Sequence, residues 1–265
     1  MVRTLGPLAV EVDGSPVALG PNQRVLLITL ALERGRFITS FRLIQLLWGD
    51  SPPRSSVVTL RSHVAHLRRR LEPGRPGSDC TVLVASRVAK GTGYALAISP
   101  DQTDVFRFER LVDDARCALS LDRPRIAIAQ VDEALTLQRG PFLADVAHRS
   151  FARPEIARLE GLRQEALRLR LLAMLACGRN REAVGQLQGL VMDAPYDEGL
   201  RELLAIALYT DQRADDAAQA CQEGLRAMRD RGLDSPALQR LQLDILRRSP
   251  ALLALPKPSE LSAAR

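Results

Sequence analysis

Aromatic residues, cysteines and long hydrophobic runs are all scarce in this sequence of 265 residues. Because only 4% of the residues are aromatic, the core must be built mainly from Leu, Val, Ile and Ala. No stretch approaches the roughly 20 uninterrupted apolar residues that a bilayer span needs, and the N-terminus lacks the apolar segment of a signal peptide. We therefore expect a cytoplasmic protein with no membrane partner.

The few cysteines and histidines form no metal-binding or catalytic pattern. Four cysteines stand far apart and are interpreted as free thiols: Cys80, Cys117, Cys177 and Cys221. His63 and His66 lie three residues apart, but no third ligand accompanies them, which disfavours a metal site. The chain also has no G-x-x-x-x-G-K-S/T phosphate loop and no nucleophile–histidine arrangement. We expect neither an enzyme nor a bound cofactor.

Positive charge is concentrated in one part of the chain. The formal net charge is +6, yet residues 1–100 hold 13 basic and 6 acidic residues, whereas residues 101–265 hold 24 and 25. A solubility bias would be spread evenly, so this asymmetry indicates a basic domain that binds a polyanion. The shortage of aromatic side chains disfavours single-stranded RNA, whose bases stack on such rings.

Residues 1–99 have the pattern of a small α+β domain. An alternating stretch at 8–12, the Asp13-Gly14 turn and residues 16–19 predict an N-terminal hairpin. Helices are predicted over 23–34, 40–48 and 55–71, followed by strands at 81–88 and 94–98 around a glycine-rich tip. This order predicts a winged helix.

From residue 104 onwards the pattern is helical and contains a repeat. Four positions recur 34 residues later, as Leu175/Tyr209, Arg179/Arg213, Ala183/Ala217 and Leu187/Cys221. That period is typical of tetratricopeptide-like helix pairs, which bind proteins on a concave face. The predicted fold class is therefore mainly α: a winged-helix domain at 1–99, an all-α repeat domain at 104–248 and a disordered tail at 249–265.

The helix at 55–71 has two contrasting faces. Its predicted core stripe comprises Val57, Leu60, Val64, Leu67 and Leu71. The opposite face is small, hydroxylated and basic, and residues 54–71 contain five arginines and no acid. Such a face suits the major groove of DNA. The arginines at 68–70 would equally suit the end of a solvated helix, where cations are favoured.

Short motifs give the layout a family resemblance. The motifs LRRRL at 67–71 and KGTGY at 90–94 resemble the effector domains of OmpR/PhoB-type response regulators. With LGPL at 5–8, LWGD at 47–50 and GPFLAD at 140–145, the chain resembles the Streptomyces antibiotic regulatory protein (SARP) family. That family joins a winged helix to a bacterial transcriptional activation domain, and the resemblance covers about residues 2–248.

The family resemblance implies most of a DNA-contact surface, and the basic pattern of the helix and the hairpin adds Arg69 and Arg87 to it. Phosphate contacts are assigned to Trp48, Thr59, His63, Arg68, Arg69 and Tyr94. Base contacts are assigned to Arg61, Ser62 and His66, and minor-groove contacts at the wing to Arg87 and Lys90. His63 and His66 differ from the residues that relatives commonly have at these positions. The difference bears on which base sequence is recognised and not on whether the chain binds DNA.

The sequence therefore predicts a transcriptional regulator that binds double-stranded promoter DNA at the nucleoid. The resemblance implies an activator that binds direct repeats as a homodimer and recruits RNA polymerase through its sigma or alpha subunit. Two alternatives stay open. A repressor would need the same DNA-binding domain, and a helical-repeat scaffold would use its basic domain to bind RNA or an acidic protein.

Overall fold

The computed structural model describes residues 1–75, 79–88 and 91–249. Lys90 and residues 250–265, which make up most of the predicted tail, lie outside the described residues. The chain forms two units: residues 1–110 with 134–162, and residues 111–133 with those from 163 onwards.

The first unit begins with a three-stranded antiparallel sheet made of β1 Val2–Arg3, β2 Ala9–Val12 and β3 Ser15–Pro16. Asp13 and Gly14 form the turn between β2 and β3, with φ values of 50° and 76°. A two-residue hairpin turn needs positive φ at both positions, and Asp-Gly adopts it readily. The hairpin and its turn form as predicted, but the second strand is Ser15–Pro16 and does not extend over residues 16–19, and β1 is an additional strand.

The winged helix follows in the predicted order. Helices α1 Pro21–Leu32, α2 Ser40–Trp48 and α3 Ser56–Leu71 precede the hairpin of β5 Leu83–Val88 and β6 Gly91–Leu96. A short strand, β4 Ile38–Thr39, joins this hairpin in the order β4-β6-β5. The sequence did not reveal β4, because two residues are too few to show a strand period.

The core stripe of α3 differs from the prediction at one position. Leu60, Val64, Leu67 and Leu71 are buried, but Val57 is 45% exposed and Ser56 is buried instead. At about 100° per residue, Ser56 lies about 40° from Leu60 around the helix, whereas Val57 lies about 60° away on the other side. The prediction for Val57 is wrong because the stripe bends towards Ser56 in the first turn.

A buried carboxylate holds the N-terminal segment in place. Asp104, the first residue of α4 Asp104–Ser120, is 1% exposed. Its Oδ1 accepts a hydrogen bond from Thr4 N at 2.7 Å, and its Oδ2 accepts one from Leu5 N at 2.8 Å. Burial raises the pKa of this carboxyl, although these hydrogen bonds act in the opposite direction.

Residues 134–162 complete the surroundings of this segment. The carbonyl groups of Thr4 and Leu5 accept hydrogen bonds from Leu143 N at 3.1 Å and Arg139 N at 2.7 Å. Asp145 accepts a hydrogen bond from Leu8 N at 2.5 Å and pairs with Arg24 at 2.7 Å. The LGPL and GPFLAD motifs are thus in direct contact within the first unit.

The second unit is helical in its described part, and it contains α5 Pro124–Thr136, α6 Arg153–Ala176, α7 Asn180–Asp193, α8 Glu198–Thr210, α9 Ala214–Asp230 and α10 Pro236–Leu246. Three helices, α4, α5 and α6, are divided between the two units. Arg179 and Arg213 stand 34 residues apart at the starts of α7 and α9, and each pairs with an acid three residues later. The predicted repeat is confirmed. Among the helices described, none is long and apolar enough to cross a membrane.

We predict that Asp104→Ala lowers the free energy of unfolding by about 2–4 kcal/mol, because it leaves two buried amides without an acceptor. Asp104→Asn keeps one accepting oxygen and should cost less. The folded carboxyl binds its proton more tightly than the unfolded one, so this group makes wild-type stability fall as pH rises from its ordinary pKa of 3.8. Neither variant has this carboxyl, so neither should show the part of the pH dependence of stability that Asp104 causes.

Guanidinium denaturation of the full chain between about pH 4 and 7 measures these effects. Asp114→Asn, an exposed position on the same helix, is the control. An unchanged transition midpoint for Asp104→Ala would contradict the prediction.

Candidate nucleic-acid interface

The outward face of α3 carries polar and basic side chains. The exposed residues of α3 are Arg61, Ser62, Ala65, Arg69 and Arg70, together with the apolar Val57 and Val58, the latter at 67% exposure. His66 is half-buried, and its Nε2 accepts a long hydrogen bond of 3.5 Å from Arg70 Nε. The structure therefore places the three residues assigned to base contacts, Arg61, Ser62 and His66, on the solvent side of one helix.

One flank of α3 packs against the end of α2. The rings of Trp48 and His63 are stacked, with centroids 6.4 Å apart and planes 23° apart. Among the described residues, His63 Nε2 is buried and has no hydrogen-bond partner. Because that nitrogen is enclosed, Nδ1 is the atom of the ring that a phosphate could reach. Desolvation by burial lowers the pKa of His63, with repulsion from His66 as a smaller cause.

A hydroxyl on the same flank is already engaged. Thr59 is half-buried, and its Oγ1 donates a hydrogen bond to Ser55 O at 3.0 Å within the first turns of α3. A phosphate oxygen can only accept a hydrogen bond. The Thr59 hydroxyl would therefore have to turn away from Ser55 in order to donate to DNA.

The other flank of α3 packs against the wing. Arg68 is half-buried, and its Nε donates a hydrogen bond to Leu83 O on β5 at 2.9 Å. This bond leaves the Nη groups of Arg68 as the donors for a phosphate contact. Arg87 is exposed further along β5, whereas its predicted companion Lys90 lies outside the described residues.

Tyr94 differs from the other assigned contacts because it is only 5% exposed. It lies on β6, the central strand of its sheet, opposite Ile38 on one side and Ala85 on the other. Its ring therefore belongs to the packing of the sheet. A phosphate contact would need the hydroxyl alone to reach the surface, so we leave Tyr94 out of the proposed contact surface.

Two residues that the sequence analysis missed support this surface. Arg149 Nη1 donates hydrogen bonds to Leu46 O at 3.2 Å and Leu47 O at 3.1 Å, at the end of α2 beside Trp48. Glu72 joins the end of α3 to the segment before β5. No local pattern indicated either role. Arg149 is about a hundred residues away from its partners in the sequence, and Glu72 is an acidic residue in a stretch that is otherwise basic.

Comparisons with known proteins identify the family. Residues 14–96 match the family described as transcriptional regulatory protein, C terminal, and residues 103–246 match the bacterial transcriptional activator domain. Regulatory protein DnrI of Streptomyces peucetius is 33% identical over 260 residues, which is 95% of this chain and 93% of DnrI. This chain belongs to the SARP family.

Further relatives of this SARP-family chain are longer proteins. Regulatory protein AfsR of Streptomyces coelicolor is 36% identical over 264 residues. The matched region covers 98% of this chain but only 25% of AfsR. The structure of Mycobacterium tuberculosis EmbR in complex with a low affinity phosphopeptide has a TM-score of 0.85 and 30% identity, covering 99% of this chain and 68% of EmbR. These likenesses confirm the predicted family and the winged helix followed by a helical domain.

We predict that His63 titrates below its ordinary pKa of 6.5, because its ring is desolvated against Trp48. Trp48→Ala uncovers the ring and should raise the pKa of His63 towards 6.5. NMR titration of the imidazole carbon-bound protons in the full chain measures both values. A wild-type His63 pKa at or above 6.5 would contradict the described packing.

Proposed function

We propose that this SARP-family chain is a transcriptional activator that binds promoter DNA through residues 1–99. In this proposal α3 enters the major groove, and the hairpin of β5 and β6 lies beside the minor groove. The observation that carries the proposal is the exposed basic face of α3, whose two flanks are fixed by α2 and by β5. The net charge of +7 over residues 1–100 supports it, because phosphate contacts supply most of the non-specific affinity for DNA.

The side chains of α3 suit different parts of the groove. Ser62 and Ala65 are small enough for the helix to approach the base edges closely, and Arg61 has the two-pronged geometry that recognises guanine. His66 provides a further polar contact to bases. Phosphate contacts are proposed for Trp48, Thr59, His63, Arg68 and Arg69, and a minor-groove contact for Arg87. The phosphate contacts fix the register of the helix, and the base contacts select the sequence.

Residues 104–248 are proposed to bind other proteins. Stacked helices such as α7, α8 and α9 present extended surfaces that suit protein partners. We propose that these surfaces form a homodimer on direct repeats and contact the sigma or alpha subunit of RNA polymerase. The chain would then act at the nucleoid by binding and without catalysis.

Fluorescence anisotropy tests the DNA-binding proposal. The full chain is titrated with its own upstream DNA and with scrambled DNA at several salt concentrations. Binding to the upstream DNA that is tighter by about 10³-fold, with a shallower salt dependence, would support a sequence-specific regulator. If the two DNAs bind equally, a selection from genomic fragments locates the operator. An absence of binding to any DNA at low salt would overturn the proposal.

We predict that substitutions on α3 separate into two classes. Arg69→Ala should weaken binding to all DNA sequences and reduce the slope of log K against log salt by about 0.9, the value for one lost phosphate contact. Ser62→Ala and His66→Ala should instead change the preferred bases, by about 1–3 kcal/mol at the positions concerned.

The control is Arg125→Ala, which removes an exposed arginine of α5 and should leave both quantities unchanged. The class assignment fails if Arg69→Ala alters base preference while Ser62→Ala and His66→Ala do not.

A further inference from the structure

One carboxylate ties the end of α3 to the segment that leads into β5. Glu72 directly follows α3, and its Oε2 accepts hydrogen bonds from Thr81 N at 2.6 Å and Val82 N at 2.9 Å. Its Oε1 accepts hydrogen bonds from Thr81 Oγ1 at 2.8 Å and Arg75 Nη1 at 3.3 Å. The Glu72 side chain is only 13% exposed. It therefore serves as an internal acceptor and not as a solvated surface charge.

A second tie lies one helical turn earlier. Arg68 Nε donates to Leu83 O at 2.9 Å, so Arg68 and Glu72 together hold the consecutive residues Thr81, Val82 and Leu83. Residues four apart on a helix share one side of it. One side of α3 is thus bonded to the first residues of the wing, and β5 then pairs with β6 along its whole length.

The charge of Glu72 opposes DNA binding. It is the one acid among residues 54–75, which also contain six arginines. Burial disfavours the charged form, but hydrogen bonds from Cys80, Val82 and Thr81 outweigh it and hold the pKa of Glu72 at about 2. The carboxylate is therefore ionised at neutral pH, where it would repel a nearby phosphate. Long-range electrostatics therefore does not explain an acidic residue at this position. The hydrogen bonds that Glu72 accepts do explain it.

We propose that Glu72 is a positioning residue that fixes the wing relative to α3, so that both elements engage DNA together. The consequence for DNA rests on the function proposed above. A wing that is already ordered in the free protein costs less entropy to place on DNA. Glu72 would then increase sequence-specific affinity despite its unfavourable charge.

Three substitutions separate positioning from charge. Glu72→Ala removes every acceptor, and Glu72→Asp keeps the charge but is one methylene too short to reach the amides. Glu72→Gln has no charge and loses the bond from Arg75, yet its carbonyl can accept from the Thr81 and Val82 amides while its NH₂ group donates to Thr81 Oγ1. Positioning predicts that Gln behaves like the wild type and Asp like Ala. A pure charge effect predicts the reverse.

The distance between α3 and the wing tests the positioning directly. Nitroxide labels at Arg70→Cys and Ser86→Cys, both exposed positions, report this distance by double electron–electron resonance. Cys117 and Cys177 are first replaced by Ser in the full chain. We expect a narrow distance distribution for the wild type and Glu72→Gln, and a broadened or shifted one for Glu72→Asp and Glu72→Ala. An unchanged distribution in all three variants would overturn the proposal.

DNA binding gives the second readout. We expect Glu72→Ala and Glu72→Asp to lose about tenfold in affinity for the operator, which is the scale of one lost specific contact. Affinity for scrambled DNA should be retained, and in Glu72→Ala it should be retained or increased. Equal losses on both DNAs would indicate general destabilisation and overturn the positioning role. If the wild type prefers no DNA sequence, the proposed function fails, and the label distances alone then decide whether Glu72 fixes the wing.

Discussion

The first unit depends on hydrogen bonds to the backbone of its N-terminal segment, because this segment has few partners in a β-sheet. Thr4 and Leu5 follow the two-residue strand β1, and both their amides and their carbonyls are bonded to residues that come much later in the chain. Asp104 supplies both acceptors, and a buried carboxylate is tolerated only when it is hydrogen-bonded in this way. The N-terminal sheet and the residues around 139–145 are therefore parts of one packed structure.

This dependence changes how the chain is divided. The family matches separate residues 14–96 from 103–246, whereas the packing groups residues 134–162 with 1–110. Arg149 illustrates the consequence, because it donates hydrogen bonds to the Leu46 and Leu47 carbonyls at the end of α2 although it lies within the activator-domain match. The proposed DNA-binding surface is thus supported by residues outside the winged-helix sequence.

The candidate surface is defined by how α3 is held as much as by what it exposes. The stack of Trp48 on His63 fixes one flank, and the hydrogen bonds from Arg68 and to Glu72 fix the other. Recognition of bases requires a side chain to be placed within a fraction of an ångström, which a mobile helix could not do. A residue can therefore have two roles. Arg68 is a candidate phosphate ligand, and its hydrogen bond to Leu83 also supports the wing.

The sequence by itself determined the order of elements, the family, the basic character of α3 and the 34-residue repeat. Each of these depends on local periodicity, turn chemistry or composition, which neighbouring residues encode together. Only the tertiary structure decided that Tyr94 is buried, that Val57 is exposed, which flank of α3 faces the wing, and that Asp104, Arg149 and Glu72 hold the unit together. Those features are contacts between residues that are distant in the chain or of unexpected charge, and their partners are set by packing, which no local pattern encodes.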